Sequence, residues 1–219
     1  MEEIIFFLHD FITIILVFII RFVGYCLLYA IFNKLIAKNL IERQVIECVW
    51  TIIPALILIQ IAIPSLLLLY MLDESIDSRL TIKIIGHQWY WRYEYSDFWS
   101  FPICSSIEYD SYIIPSNELE DSIFRLLDVD NRIVIPFNTR IRLLISSADV
   151  IHAWTVPVFG VKRDAVPGRI NIARVVAQRP GVYYGQCSEI CGANHRFIPI
   201  VVESINSKSF LNWVICNQE

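Results

Sequence analysis

Residues 181–204 read GVYYGQCSEICGANHRFIPIVVES: two β-type runs flank a loop that holds two cysteines and a histidine within nine positions. Three residues separate Cys187 from Cys191, and three more separate Cys191 from His195. The flanking runs, GVYYGQ and FIPIVVES, are rich in β-branched and aromatic residues, as short strands are. Five runs of the same kind precede them: LTIKIIG (80–86), QWYWRYEY (88–95), RIVIPF (132–137), RIRLLIS (140–146) and INIARVVA (170–177). Turn signals divide them and several alternate with period two. Many short strands with no helix between them predict an all-β sandwich or Greek-key barrel. Only the tail, SKSFLNWVICNQE (207–219), reads as a short C-terminal helix.

Upstream of the strands the chain changes character. It has 219 residues, a mean hydropathy of +0.53 and 56% hydrophobic residues, more than a soluble domain of this size carries. Two apolar runs, 11–32 and 51–72, are each long enough to cross the hydrocarbon of a bilayer at 1.5 Å per residue. Pro54 and Pro64 do not exclude the second, since membrane helices tolerate proline. Arg21 and Gln60 should face protein, and Arg21 has snorkelling as an alternative. The leader of the first run is acidic (Glu2, Glu3, Asp10), which argues against a cleavable signal peptide. The connector carries Lys34, Lys38 and Arg43 while the far ends carry acids, so both chain ends are expected on the side opposite the connector. We therefore expect a transmembrane hairpin over 1–79 and one extra-membrane domain over 80–219. Net charge is −4, too weak by itself to name a partner; no nucleic acid is expected.

Three chemistries compete for the cysteine loop. Structural zinc takes cysteines two to four apart, but such sites clamp folds too small to have a core. A Cys187–Cys191 disulfide suits an oxidising compartment. Neither accounts for His152, which sits in SADVIHAWTVP (147–157) beside a strongly β run. One histidine from a distant strand plus a late Cys, His and Met loop is the pattern of a blue-copper electron-transfer site. A second cysteine lets two sulfurs bridge two copper ions, sharing the electron and limiting rearrangement. The stretch suits an electron relay better than a catalyst.

The order of two spans, GHQWYWRYEY (86–95), LDVDNR (127–132), SADVIHAWTVP, DAVPGR (164–169) and GQCSEICGANH (185–195) resembles subunit II of mitochondrial cytochrome c oxidase. The resemblance runs from about Met1 to Trp213. It implies a helical hairpin carrying a cupredoxin-like barrel. It implies a binuclear copper centre held by His152, Cys187, Cys191, His195 and the backbone carbonyl of Glu189. It also implies a magnesium ion shared with subunit I through the Glu189 carboxylate, electron input from cytochrome c at Trp89, and Glu47 near the mouth of a proton path. On the same ground, Glu94, Asp97, Asp130, Asp149 and Glu189 are expected on or near the cytochrome c docking face. The implied function is to receive electrons from cytochrome c and pass them to haem in subunit I, where oxygen reduction is coupled to proton pumping. The implied setting is the mitochondrial inner membrane, amid lipid and other oxidase subunits, with both termini and the copper domain in the intermembrane space.

The sequence departs from this pattern at one ligand. The family's axial methionine falls on Ile198, and isoleucine cannot bind copper. Either the centre lacks its thioether, or the methionine is hidden by translation, since some mitochondrial codes read AUA as methionine; the second account is preferred. The loop YSDFWSFPICSSIE (95–108) is also longer than usual and holds Cys104, expected to be a bystander. From Tyr90 to Asp130 nine acidic residues face two arginines, a charge run expected to steer a basic partner.

Overall fold

The computed structural model describes residues 2–35, 42–73, 77–98, 106–118 and 123–217. The chain divides into two units, 1–75 and 76–219. Cys104 and most of its loop lie outside the described residues, as do Glu120 and Asp121.

The first unit is two helices, α1 (Glu2–Phe32) and α2 (Gln44–Asp73), which touch each other. Each is longer than its apolar run, because a helix continues through its flanking polar turns until its backbone bonds run out. Pro54 and Pro64 both sit inside α2. Large apolar side chains such as Phe18, Phe22, Leu58 and Leu67 are exposed around these helices, as a lipid-facing surface requires. Arg21 and Gln60 are exposed as well, so none of the described residues covers them.

Among the described residues, the second unit has ten strands and a terminal helix. A five-stranded sheet has the order β3 (Ile107–Ser111), β2 (Tyr90–Tyr95), β1 (Leu80–His87), β5 (Ile141–Ser147), β8 (Asn171–Val175). A three-stranded sheet runs β4 (Ile133–Pro136), β10 (Pro199–Ile205), β9 (Gly181–Gln186), and β6 (His152–Val156) pairs with β7 (Val161–Ala165). β1 alternates buried and part-exposed residues along its length, which points Leu80, Ile82 and Ile84 inward and Thr81, Lys83 and Ile85 outward. Their partners Tyr93, Tyr95, Leu143 and Ile145 complete one face of a core that Trp91, Trp154, Ile200 and Val202 fill from the other strands. The β1–β5 and β4–β10 pairs are parallel, so the chain crosses between sheets instead of folding as successive hairpins. α3 (Ser207–Cys216) starts at Asn206, whose side chain accepts from the Ser209 N–H, and buries Phe210 and Val214 against the barrel.

Candidate metal centre

His152, from the middle of the second unit's sequence, meets Cys187 and Cys191, from late in it, at one end of the barrel. β6 begins at His152, and the turn before it is tied by Ser147, whose hydroxyl donates to the Val150 carbonyl. The imidazole fits because residue 86 is glycine: a Cβ there would lie 2.9 Å from His152 Cδ2. The Trp91 ring meets the imidazole edge-on at 5.9 Å. Cys187 follows directly on β9, which passes so close to β6 that a Cβ on Gly185 would lie 2.0 Å from the Thr155 carbonyl oxygen. The Cys187 N–H then donates to Ile198 O (3.0 Å) and the Ser188 N–H to Ala153 O (3.1 Å), fixing the start of the loop on two strands.

The ligand-type atoms of His152, Cys187 and Cys191 all lie within 4.8 Å of one another, and all three side chains are buried. His152 Nδ1 faces Cys187 Sγ at 4.0 Å. His195 Nδ1 lies 3.5 Å from Cys191 Sγ, on the outer side of the cluster, and the Glu189 carbonyl accepts from the Cys187 thiol at 3.4 Å. Both cysteines are free thiols, which removes the disulfide reading. Two soft sulfurs with two imidazoles and a carbonyl form a donor set suited to copper. Ile198 is buried beside this group and offers only hydrocarbon and its backbone. Methionine occurs only at positions 1 and 71, so this domain has no thioether to give.

Electrostatics divides the two thiols. Burial alone would raise Cys187, but the His152 ring and the Ala153 and Glu189 backbones outweigh it and hold the thiol down to about 7. Burial and the neighbouring Cys187 push Cys191 up to about 12. Two thiolates side by side therefore repel, and a cation between them relieves both. Burial opposes the charged form of His152 too, yet Cys187 and Asp149 raise its pKa on balance.

Sequence reasoning missed how this cluster is held in place: Asp149 was expected only as a docking acid, and Gln88 was not singled out. Asp149 Oδ1 lies 2.8 Å from His152 Nε2, while Oδ2 accepts the Gln88 N–H at 2.6 Å. The Gln88 side chain donates to the Cys191 carbonyl at 2.7 Å, linking the two loops. An Asp three residues before a ligand-type His, in a turn entering a strand, is the signal that was present in DVIH. Trp89 is half-buried and lies over the same loop: a Cβ on Gly192, where φ is +124°, would stand 3.3 Å from its indole ring.

The expected docking acids separate. Asp149 and Asp130 lie at the end of the barrel that carries the cluster, the latter accepting the N–H of Tyr112, whose ring stacks on Tyr90 next to Trp89. Glu94 is mid-sheet in an ion pair with Lys83 (2.6 Å). Asp97 accepts the Thr81 N–H at the opposite end of β1, about 20 Å from Trp89 at ~3.3 Å per strand residue. Asp97 is thus removed from the expected face. The acidic run is also not uniformly exposed: Asp128 is buried against Arg132, and Asp110 pairs with Arg92 at 2.7 Å. Glu189 is half-buried at the loop. In the first unit, a Glu47 carboxylate oxygen accepts from the Arg43 N–H at 3.4 Å and caps the start of α2.

Residues 80–205 match the family described as cytochrome c oxidase subunit II, periplasmic domain, and residues 1–68 match its transmembrane domain. A cytochrome c oxidase subunit 2 from Choristoneura rosaceana is 56% identical over 214 residues, covering 98% of this chain and 91% of the relative. The Periplaneta americana protein is 54% identical over 215 residues, with the same coverage. The solved periplasmic domain of cytochrome oxidase subunit II (CoxB) of Bradyrhizobium japonicum superposes with a TM-score of 0.59 at 42% identity, covering 66% of this chain and 97% of that one. A second structure, of that subunit in a mixed disulfide with the thioredoxin-like TlpAs, gives 0.56 at 42% identity, covering 67% of this chain and 95% of that one. Helical hairpin, β-barrel and sulfur–imidazole cluster agree with these likenesses, and the chain belongs to the cytochrome c oxidase subunit II family.

Proposed function

We propose that this chain is the electron-input subunit of a terminal respiratory oxidase, taking electrons from reduced cytochrome c and passing them to haem in subunit I, where oxygen is reduced and protons are pumped. The observation that carries this reading is the convergence of His152, Cys187 and Cys191 within 4.8 Å on a strand-built frame. His152, Cys187, Cys191, His195 and the Glu189 carbonyl would hold two copper ions. A copper pair bound there supplies a one-electron couple whose charge is spread over both ions. The protein's part is rigidity: Asp149, Gln88 and the β6–β9 contact hold the ligands, so little needs to move when the charge changes. Trp89, lying over the Cys191–Gly192 backbone, would be the electron-input side chain, and Asp130 and Asp149 beside it would guide a basic partner. Glu94 and Glu189 would border that face.

The Glu189 carboxylate makes no hydrogen bond or ion pair to a described residue, which leaves it for a hard cation such as magnesium shared with subunit I. Glu47 would sit near the mouth of a proton path. Two apolar helices and the family membership support the mitochondrial inner membrane, with lipid around the hairpin. The basic connector supports an intermembrane-space copper domain. Copper analysis and electron paramagnetic resonance of the purified oxidase test the proposal. Two coppers per chain with one delocalised signal is the expected result; one copper per chain, or a localised signal, overturns it.

A further inference from the structure

α1 carries a guanidinium in the middle of its apolar span. Arg21 stands midway between Asp10 and Phe32, about 16 Å from each along the helix axis at ~1.5 Å per residue. Snorkelling brings a long cationic side chain to water only near a helix end, so this depth rules it out. The direction of the side chain decides what can meet it. Leu8, Ile12, Ile15 and Ile19 are half-buried and recur every three or four residues, which makes them the stripe of α1 that packs on α2, the only other described element of this unit. Arg21 follows Ile19 by two positions, about 200° further round at ~100° per residue, and so lies on the side of α1 turned away from α2. No described residue gives its guanidinium an ion pair or hydrogen bond. Ile14, Val17, Tyr25 and Leu28 share that side and are all exposed, so the charge sits at the centre of an otherwise apolar surface.

A side of α1 that met only lipid would leave this ion unpaired in hydrocarbon, where charged groups pair with one another or with backbone carbonyls. We propose that this side of α1 packs against a transmembrane helix of another oxidase subunit, and that Arg21 forms an ion pair there with an aspartate or glutamate side chain. Backbone carbonyls satisfy the N–H groups but leave the charge standing; a carboxylate accepts two parallel N–H bonds and cancels it. The proposal rests on the chain's place in an oxidase complex, but not on its copper chemistry.

The test uses the full chain expressed with its oxidase partners and compares Arg21→Leu, Arg21→Lys and Arg21→Glu. The fraction of membrane-inserted chain recovered in the assembled complex is read on native gels. Leucine inserts more readily than arginine, so the span survives in Arg21→Leu and a lower assembled fraction reports a carboxylate left unpaired. The expected fall is at least about tenfold in Arg21→Leu, larger in Arg21→Glu, and less than about threefold in Arg21→Lys, which keeps the charge. A density map of the native assembled oxidase is the second readout: a carboxylate oxygen from another subunit's helix is expected within about 4 Å of the guanidinium. An assembled fraction in Arg21→Leu equal to or above the native one overturns the proposal. A map in which the guanidinium meets only backbone carbonyls, a lipid phosphate or water overturns it as well. Copper content and the copper signal are counted per assembled complex. A two-copper signal in complexes that lack this carboxylate therefore removes the pairing alone, and a localised copper signal beside an intact pair removes only the electron-transfer reading.

Discussion

Asp149 fixes the chemistry of His152 without reaching the metal position itself. With Nε2–H donated to the carboxylate, the Nδ1 lone pair is left facing Cys187. Asp149→Asn keeps the shape but removes the charge and the certainty of that tautomer, and such losses cost 10–100-fold in metal affinity. Copper retention against a competing chelator should fall by about that factor; unchanged retention would show that the carboxylate only fills space. The two thiols give a second expectation. In the metal-free chain, thiolate absorbance should rise with one midpoint near 7 and a second far higher, toward 12. Cys187 ionises below its unfolded value of about 8.5, so its stabilising contribution is full above that value and is lost as pH falls through about 7. A single two-proton step near 8.5 would refute the division of roles. At position 198 the test is chemical identity: mass spectrometry of the peptide from Arg196 to Glu203 distinguishes a true isoleucine from a miscoded methionine. Cys187, Cys191 and His195 were legible as candidate ligands because their types are rare and their spacing is short, while His152, 35 residues before Cys187, was legible only by its place beside a β run. The parts that Asp149 and Gln88 play in holding them were not, because Asp and Gln are common and only the fold shows which ones meet a ligand-type atom or its backbone.

At the scale of elements, two glycines set how closely the strands approach. Gly185 meets backbone, the Thr155 carbonyl, so a Cβ there must push β9 away from β6. Gly86 meets the His152 and Trp91 rings, which have some room to shift. Gly185→Ala should therefore cost more than about 4 kcal/mol and abolish thermal unfolding cooperativity, while Gly86→Ala should cost about 1–3 kcal/mol and disturb the copper spectrum. The reverse ranking in melting experiments would mean that the ring packing, not the strand approach, limits the fold. Strands such as LTIKIIG were readable because one face is buried and the other half-exposed, giving a clean alternation. β6, HAWTV, is buried on nearly every residue and so shows no period. β7, VKRDA, is charged and unremarkable in composition, and it becomes a strand only by pairing with β6. The parallel partnership of β1 and β5 was equally invisible, since alternation tells which side faces inward but not which strand lies next door.

Across the barrel as a whole the acids are spread out: Asp130 and Asp149 lie at the end that holds His152 and Cys191, and Asp97 lies at the other. Steering of a basic protein should depend on where a carboxylate stands and not on the net charge of −4. A partner charge about 6 Å from Asp130 gains ~0.7 kcal/mol in water, or about a threefold factor in encounter rate. Asp97 stands about 20 Å from Trp89, two Debye lengths at ~0.1 M salt, and is screened. In the assembled oxidase at ~0.1 M salt, where a charge 6 Å away keeps about half of that energy, Asp130→Asn should lower kcat/KM for cytochrome c about twofold, with the difference closing as salt rises further. Asp97→Asn should leave it unchanged. Both substitutions remove one negative charge, and both touch backbone hydrogen bonds, two at Asp130 and one at Asp97, so a melting curve for each variant accompanies the comparison of position with charge count. Equal effects from the two would mean that the partner responds to the molecule's overall field, and turnover indifferent to salt in both would remove electrostatic guidance from the encounter altogether.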